Sequence, residues 1–381
     1  MLTARNRKVA DVTPCWRSKH TSREQASQTA LTIHSYALHA ARNVGDRTGE
    51  ADALINLGAV HWRQGRHAQA AEHYQRALTI FDETGDCAGE ARVLASLGMV
   101  YERQGNYAQA IDYHQRALKT FRSIGDRVGE ANTLNNLAMT YGRLGRFRQA
   151  SKHLMQALPI TRETGDRHGQ AEVLTSLGLL HWRQGRYLQA IDHHRQALSL
   201  FREIGDRPGE TNALNYLGMV YGRQGRHGQA IDYHEQALAR FREMSARAGE
   251  AYALTYLGVV YRRQGRQNEA IGHHQQALIL MREVGDPSGE ADALNGLGEA
   301  LLDADQPEQA RTQHTAALAL AVEIEDRYEQ ARSHAGLAAI HHAVDEYDLA
   351  ECHWNQALAL YASLDVPEAD DVRTILIGRM R

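Results

Sequence analysis

Residues 46–85 read DRTGEADALINLGAVHWRQGRHAQAAEHYQRALTIFDETG, and the same pattern returns every forty residues up to Asp365. Ala70, Ala110, Ala150, Ala190, Ala230, Ala270, Ala310 and Ala350 share one position of it. Leu57, Leu97, Leu137, Leu177, Leu217, Leu257, Leu297 and Leu337 share another. A fixed period of this size marks an array of small units that bury their apolar faces by stacking. Gly45–Asp46 opens the unit with a stop and then a start. Glycine suits the left-handed residue just past a helix end, and aspartate caps the next helix by accepting from its free N–H groups. The pair recurs at Gly85–Asp86, Gly125–Asp126, Gly165–Asp166, Gly205–Asp206 and Gly285–Asp286. Leu54, Leu57, Gly58 and His61 then fall at helical spacing, Gly65 breaks the stripe, and Ala70, Tyr74, Ala77, Leu78 and Phe81 begin a second one. Each unit is therefore expected to be two antiparallel helices of about 16–18 residues. Gly58 and Ala70 are small so that the two helices can close on each other.

The spacing Leu54, Leu57, Gly58, His61, Ala70, Tyr74, Ala77 resembles the tetratricopeptide repeat signature, with leucine in the usual tryptophan place. Leu214, Leu217, Gly218, Tyr221, Ala230, His234, Ala237 is closer still. The familiar repeat is shorter and has a proline after its second helix, whereas here that helix runs on. The resemblance implies an all-α fold, a right-handed α-solenoid of antiparallel helix pairs. Eight full repeats span 46–365, a half repeat over 23–45 supplies a second helix only, and 366–381 is a capping helix. Residues 1–22 are polar, contain Pro14 and Cys15, and are expected to be disordered. Units carrying Gly125–Asp126–Arg127 and Leu134–Asn135–Asn136–Leu137 are also similar to the C-terminal arrays of actinobacterial regulators that carry an NB-ARC-type ATPase or a DNA-binding domain.

Some units depart from the pattern. Pro208 and Pro287 fall in the first turn of first helices, where proline is tolerated, but Pro159 lies inside a second helix and is expected to kink it. Ser245–Ala246 replaces the Gly–Asp pair, which predicts a softer joint. Asp305 and Asp345 replace the mid-unit glycine of the last two units.

In such a stack the first helices line an inner groove, as the resemblance implies. The face opposite the Leu54–Leu57–Gly58 stripe carries Asn56 and Arg63, then Met99 and Arg103. Asn132, Asn136, Met139 and Arg143 follow, flanked by Asn135, and then Arg183. Asn212, Tyr216, Met219 and Arg223, flanked by Asn215, and finally Tyr252, Tyr256 and Arg263 complete the face. Amides can both donate to and accept from an extended backbone, arginines pair with carboxylates, and methionines adapt to varied apolar side chains. The expected occupant is a peptide or helical segment of a protein partner, of acidic character. A structural account competes for the arginines: cations near a helix C-terminus and acids such as Glu50, Glu130 and Glu210 near its start complement the helix dipole.

Little else points to chemistry. A net charge of −3 argues against bulk attraction to nucleic acid, and 43% hydrophobic with 23% charged residues fits a folded, soluble chain. Cys15, Cys87 and Cys352 form no metal or disulfide spacing and suit a reducing cytoplasm. No lysine sits in a phosphate-binding loop and no nucleophile elbow is present. The histidines at His73, His114, His153, His193, His194, His234, His273, His274, His314 and His353 recur one unit apart, too far for a shared metal, so they are read as core and surface fillers. The expectation is a non-catalytic, cytoplasmic scaffold that needs no cofactor and binds neither membrane nor nucleic acid. The alternative is the sensor portion of a larger regulator.

Overall fold

The structure, a computed structural model, describes residues 15–379 and is all-helical over them. It forms two compact units, one ending at Gly85 and the other beginning at Asp86. The first holds α1 (Cys15–Val44), α2 (Arg47–Arg63) and α3 (His67–Thr84). Residues 15–22, expected to be disordered, are part of α1, which runs unbroken through the boundary expected at residue 23. The stretch 15–29 contains neither glycine nor proline, so nothing in it halts helix propagation. Residues 1–14 of that expectation lie outside the described residues.

The second unit repeats the helix pair seven times. The pairs are α4 (Cys87–Arg103) with α5 (Tyr107–Ile124), α6 (Arg127–Arg143) with α7 (Phe147–Thr164), and α8 (Arg167–Arg183) with α9 (Tyr187–Glu203). Next come α10 (Arg207–Arg223) with α11 (His227–Glu243) and α12 (Arg247–Arg263) with α13 (Gln267–Val284). The last are α14 (Pro287–Asp303) with α15 (Pro307–Glu323) and α16 (Arg327–Ala343) with α17 (Tyr347–Leu364), followed by α18 (Glu368–Arg379). Pro159 is exposed and α7 continues across it, so the lost backbone hydrogen bond falls where water can replace it. On α18, Val372 and Leu376 are buried, as are Val366 and Ala369 beside them.

The joints follow from their residues. Asp206 accepts from the Gly209 amide at 3.0 Å, and Asp46, Asp126 and Asp166 do the same in their own helices. A second device spans eight residues: an arginine in the last turn of one helix pairs with a glutamate in the first turn of the next. Arg42–Glu50 and Arg122–Glu130 both lie at 2.8 Å, Arg202–Glu210 at 3.1 Å and Arg282–Glu290 at 2.7 Å. These first-turn acids thus bind a neighbouring arginine as well as facing a helix dipole. Ser245 adopts φ 53°, the left-handed conformation glycine takes at the other joints, and Ala246 offers no side-chain cap. That joint keeps its arginine clamp, Arg242–Glu250 at 2.9 Å.

Within each pair, contact is close because one residue is glycine. A Cβ on Gly58 would sit 2.7 Å from the Tyr74 ring, and one on Gly218 would sit 2.8 Å from the His234 ring. His114, His194, His234, His274 and His314 all occupy the Tyr74 position and are fully buried. The residue before it stacks on the first helix, as in His61–His73 (5.1 Å between ring centres), His181–His193 (5.2 Å) and Tyr221–Tyr233 (5.5 Å). The repeating histidines are packing elements of the helix pairs.

The second unit also folds back on itself. A Cβ on Gly105 would lie 2.7 Å from the Ile324 side chain, one on Gly185 would lie 3.3 Å from Pro367, and one on Gly145 would overlap Leu364. Leu118, Leu134, Leu154 and Leu177 accordingly share one buried cluster with Ala338, Trp354, Leu364 and Val372. Early and late repeats of this unit therefore face each other across a narrow interior.

Candidate functional site

The expected groove residues divide by position. In the first unit Asn56 and Arg63 are exposed, and Arg63 Nε donates to the Ala59 carbonyl of its own helix at 3.3 Å. In the second unit Met99, Asn132, Asn212 and Arg263 are exposed. Arg103, Asn136, Met139, Arg143, Arg183, Tyr216, Arg223, Tyr252 and Tyr256 are half-buried. Asn135 and Asn215 are buried and do not stand on an open face, whereas Met219, also largely buried, borders the cavity described below. The reason is plainest for Asn215, whose Oδ1 accepts from His234 Nδ1 at 2.6 Å. Asn295 repeats the arrangement with His314 at 2.9 Å and also donates to Glu329 Oε2 at 3.0 Å. An amide at this position serves the buried imidazole of the neighbouring helix.

In the second unit Arg103, Arg183 and Arg223, at the ends of their first helices, meet residues from distant repeats. Arg103 donates to Asp286 Oδ2 at 3.1 Å across 183 residues of sequence, and Tyr252 donates to the same oxygen at 2.8 Å. Burial works against the Asp286 carboxylate, but Arg143 and Arg103 outweigh it and hold its pKa below the ordinary value. Burial, reinforced by Asp286, pushes the Tyr252 phenol well up. Arg143 donates to Glu102 at 3.0 Å. Arg223 binds Glu368 at the start of α18 and reaches Tyr328 Oη at 3.2 Å, while Tyr328 donates to Glu368 at 2.9 Å. Arg183 lies over the Tyr328 ring, 4.0 Å from its centre. A helix-dipole role does not explain these long-range partners. None of them was legible in the sequence, because Asp286, Tyr328 and Glu368 carry no signal that ties them to arginines so far away.

A cavity of about 190 Å³ lies among these groups. Trp182, Met219, Tyr256 and Val259 give it apolar and aromatic walls, and Arg183, Arg223, Arg262, Arg263 and Arg332 give it cations. Its carboxylates are committed. Arg332 binds Glu299 at 2.6 Å and Asp292 at 2.5 Å, and Arg262 binds Glu299 at 3.0 Å and Asp303 at 2.9 Å. Burial opposes the charge on Glu299, but Arg332 and Arg262 hold its pKa far below the usual carboxylate range. Arg263 donates only to the Gly222 carbonyl, at 3.1 Å, and among the described residues neither it nor Arg183 has a carboxylate within 4.0 Å. Burial, with Arg223 and Arg262 beside it, lowers the Arg263 pKa below its ordinary value. No group of three or more histidine, cysteine or acidic residues among the described residues is placed to hold a metal ion. No described helix is long and apolar enough to cross a membrane.

Stacked helix pairs around an arginine- and tyrosine-lined interior define a helical-repeat protein. The tetratricopeptide repeat model matches residues 22–83, 89–163, 169–243, 249–321 and 289–363, and the chain belongs to that family. No curated protein matches the sequence. Among solved structures, the chain is similar to the Rap conjugation gene regulator of plasmid pLS20 in complex with the Phr* peptide, with a TM-score of 0.64 at 15% identity over 89% of this chain and 95% of that one. A Rap protein complexed with competence and sporulation factor gives a TM-score of 0.57 at 15% identity, over 89% and 98% of the two chains. The signal-transduction ATPase with a tetratricopeptide repeat sensor from Pyrococcus horikoshii gives 0.52 at 15% identity, over 96% of this chain and 56% of that one. At these identities the likeness is one of fold.

Proposed function

We propose that the protein is a non-catalytic scaffold that captures a segment of a partner polypeptide in the interior of its second unit. The observation that carries this reading is the cavity bordered by α8, α10, α12, α14, α16 and α18, with Met219, Tyr256 and Val259 for apolar side chains and guanidinium groups at Arg183 and Arg263 that hold no carboxylate among the described residues. Two proteins with this fold support it, one in complex with the Phr* peptide and one complexed with competence and sporulation factor. Exposed Met99, Asn132 and Asn212, with half-buried Asn136, Met139 and Tyr216, extend the proposed surface beyond the cavity. A cytoplasmic location fits the reading.

The test is a selection from a displayed random-peptide library on the intact chain. Peptides recovered by the native protein should be lost from a Tyr256→Ala, Met219→Ala variant and kept by the exposed-surface control Glu243→Ala. Equal recovery by all three would remove the interior as the binding surface. A second reading, the sensor portion of a larger regulator, draws support from the fold shared with the repeat sensor of the Pyrococcus ATPase. Its test is whether the chain binds a separately produced ATPase or DNA-binding domain encoded beside it.

A further inference from the structure

The first and last described helices are the two halves of a repeat. α1 holds the second-helix register, with Ala30, Ile33, His34 and Ala37 where the next unit has Ala70, His73, Tyr74 and Ala77. Spaced by three, one and three, they form one face of the helix. Ala77, Ala117, Ala157 and their later counterparts are fully buried, as are His114 and His194. In α1, Ala37 is exposed, Ile33 is 57% exposed, and Ala30 and His34 are half-buried. Among the described residues no first helix precedes α1 to cover that face.

α18 shows the converse. Asp365 takes a left-handed φ of 56°, as the joint glycines do, and Pro367 stands where Pro287 opens α14. In that register Ile377–Gly378 holds the place of Leu57–Gly58 and Leu297–Gly298. In the inner units this glycine lies under the second helix. A Cβ on Gly98 or Gly178 would sit 2.4 Å from the His114 or His194 ring, and one on Gly298 would sit 2.7 Å from His314. A Cβ on Gly378 would meet nothing within 4 Å, and Ile377 is 50% exposed. α18 is a first helix without its second among the described residues.

We propose that the partner of these faces is a second copy of this chain, with α1 of one copy docked on α18 of another to complete a repeat. His34 then lies over Gly378 as His114 lies over Gly98, and Ile33 and Ala37 cover the same stretch of α18. Two α1 faces paired with each other would have no glycine to admit the His34 ring. Asp371 and Thr374 stand where inner units carry alanine and leucine, and α18 offers only 12 residues, about 18 Å of helix. The joint is therefore weaker than an inner pair and forms with rising concentration. Each copy uses a different face at each end, so the contact is head to tail and can continue from copy to copy. It stands independently of segment capture.

The experiment is sedimentation velocity of the full chain from about 1 to 300 μM, where the mean mass should rise with concentration. Ala37→Glu and Ile377→Glu change exposed residues, so circular dichroism should show both variants folded. Each would bury an unpaired charge in the joint and should weaken self-association by at least about 10-fold. An equimolar mixture of the two variants should form a one-to-one pair and nothing larger. That pair joins the intact α1 of the Ile377→Glu chain to the intact α18 of the Ala37→Glu chain. A native chain that stays monomeric throughout, self-association that neither variant weakens, or a mixture that stays monomeric would each overturn the proposal. If only one variant dissociates the assembly, the contact joins like to like and the head-to-tail joint falls.

Discussion

The histidine series and the arginine series keep the same forty-residue step, yet they end in opposite surroundings. His114, His194, His234, His274 and His314 are sealed inside the helix pairs, each against a glycine of its own first helix. Arg103, Arg143, Arg183 and Arg223 project into the interior of the second unit and take partners from other repeats. A repeat period therefore says that a position recurs, but not whether its partner lies in the same unit or several units away. The histidines answer to local packing. The arginines answer to how the array closes, and Arg183, like Arg263, has no carboxylate within 4.0 Å among the described residues.

Acid separates the two series most strongly. Burial pushes the His114 and His314 imidazoles down to about 4, and those of His194, His234 and His274 to about 3. Their folded values lie below the unfolded value, so the unfolded chain binds more protons as pH falls. Their stabilising contribution is complete above about pH 6.5 and is lost towards pH 4, at about 1.4 kcal/mol per pH unit for each histidine. Denaturant titrations should show stability falling steeply below about pH 6, with unfolding before pH 4. A chain as stable at pH 4.5 as at pH 7 would mean that these rings are not buried as neutral groups. Arginines stay charged throughout this range, and the carboxylates they hold, Asp286, Glu299 and Glu368, have lowered pKa values. Their contacts begin to weaken only below about pH 5, so the loss between about pH 6.5 and 5 belongs to the imidazoles.

A smaller effect tests the link between the series at adjacent residues. Asn215 and Tyr216 were both expected on the groove face, but Asn215 supports His234 from within. Asn215→Ala should lower stability by about 1–3 kcal/mol by leaving the His234 N–H without an acceptor, and should leave peptide recovery unchanged. Loss of recovery with unchanged stability would return Asn215 to the binding surface.

Much of the fold could be read from residues that act on their neighbours. Leucine and alanine stripes, the Gly–Asp joints and the mid-unit glycines each fix a helix, its end or its closest partner within a few positions. Even where Asp305, Glu325, Asp345 and Asp365 replace glycine, the turns keep their left-handed residue, because the units on either side impose it. The inner face was only partly legible. Arg183, Arg223, Met219 and Tyr256 share the helical spacing of the expected face and border the cavity, but Asn135 and Asn215 share that spacing too and are buried. What distinguishes them is the layer against which they pack, and a one-dimensional period does not contain it. Glu368 and Tyr328 escaped notice because they act outside the repeat pattern, and Asp286 because its place in a Gly–Asp pair signals a helix cap and not its distant arginine.

The most direct test of this division is to measure thermal stability and peptide recovery together on the Arg183→Ala, Arg263→Ala chain. Neither arginine holds a carboxylate among the described residues, so the midpoint should move by no more than about 2 °C while recovery of library-selected peptides is lost. A midpoint that falls by about 5 °C or more with recovery intact would make these arginines structural and contradict the account.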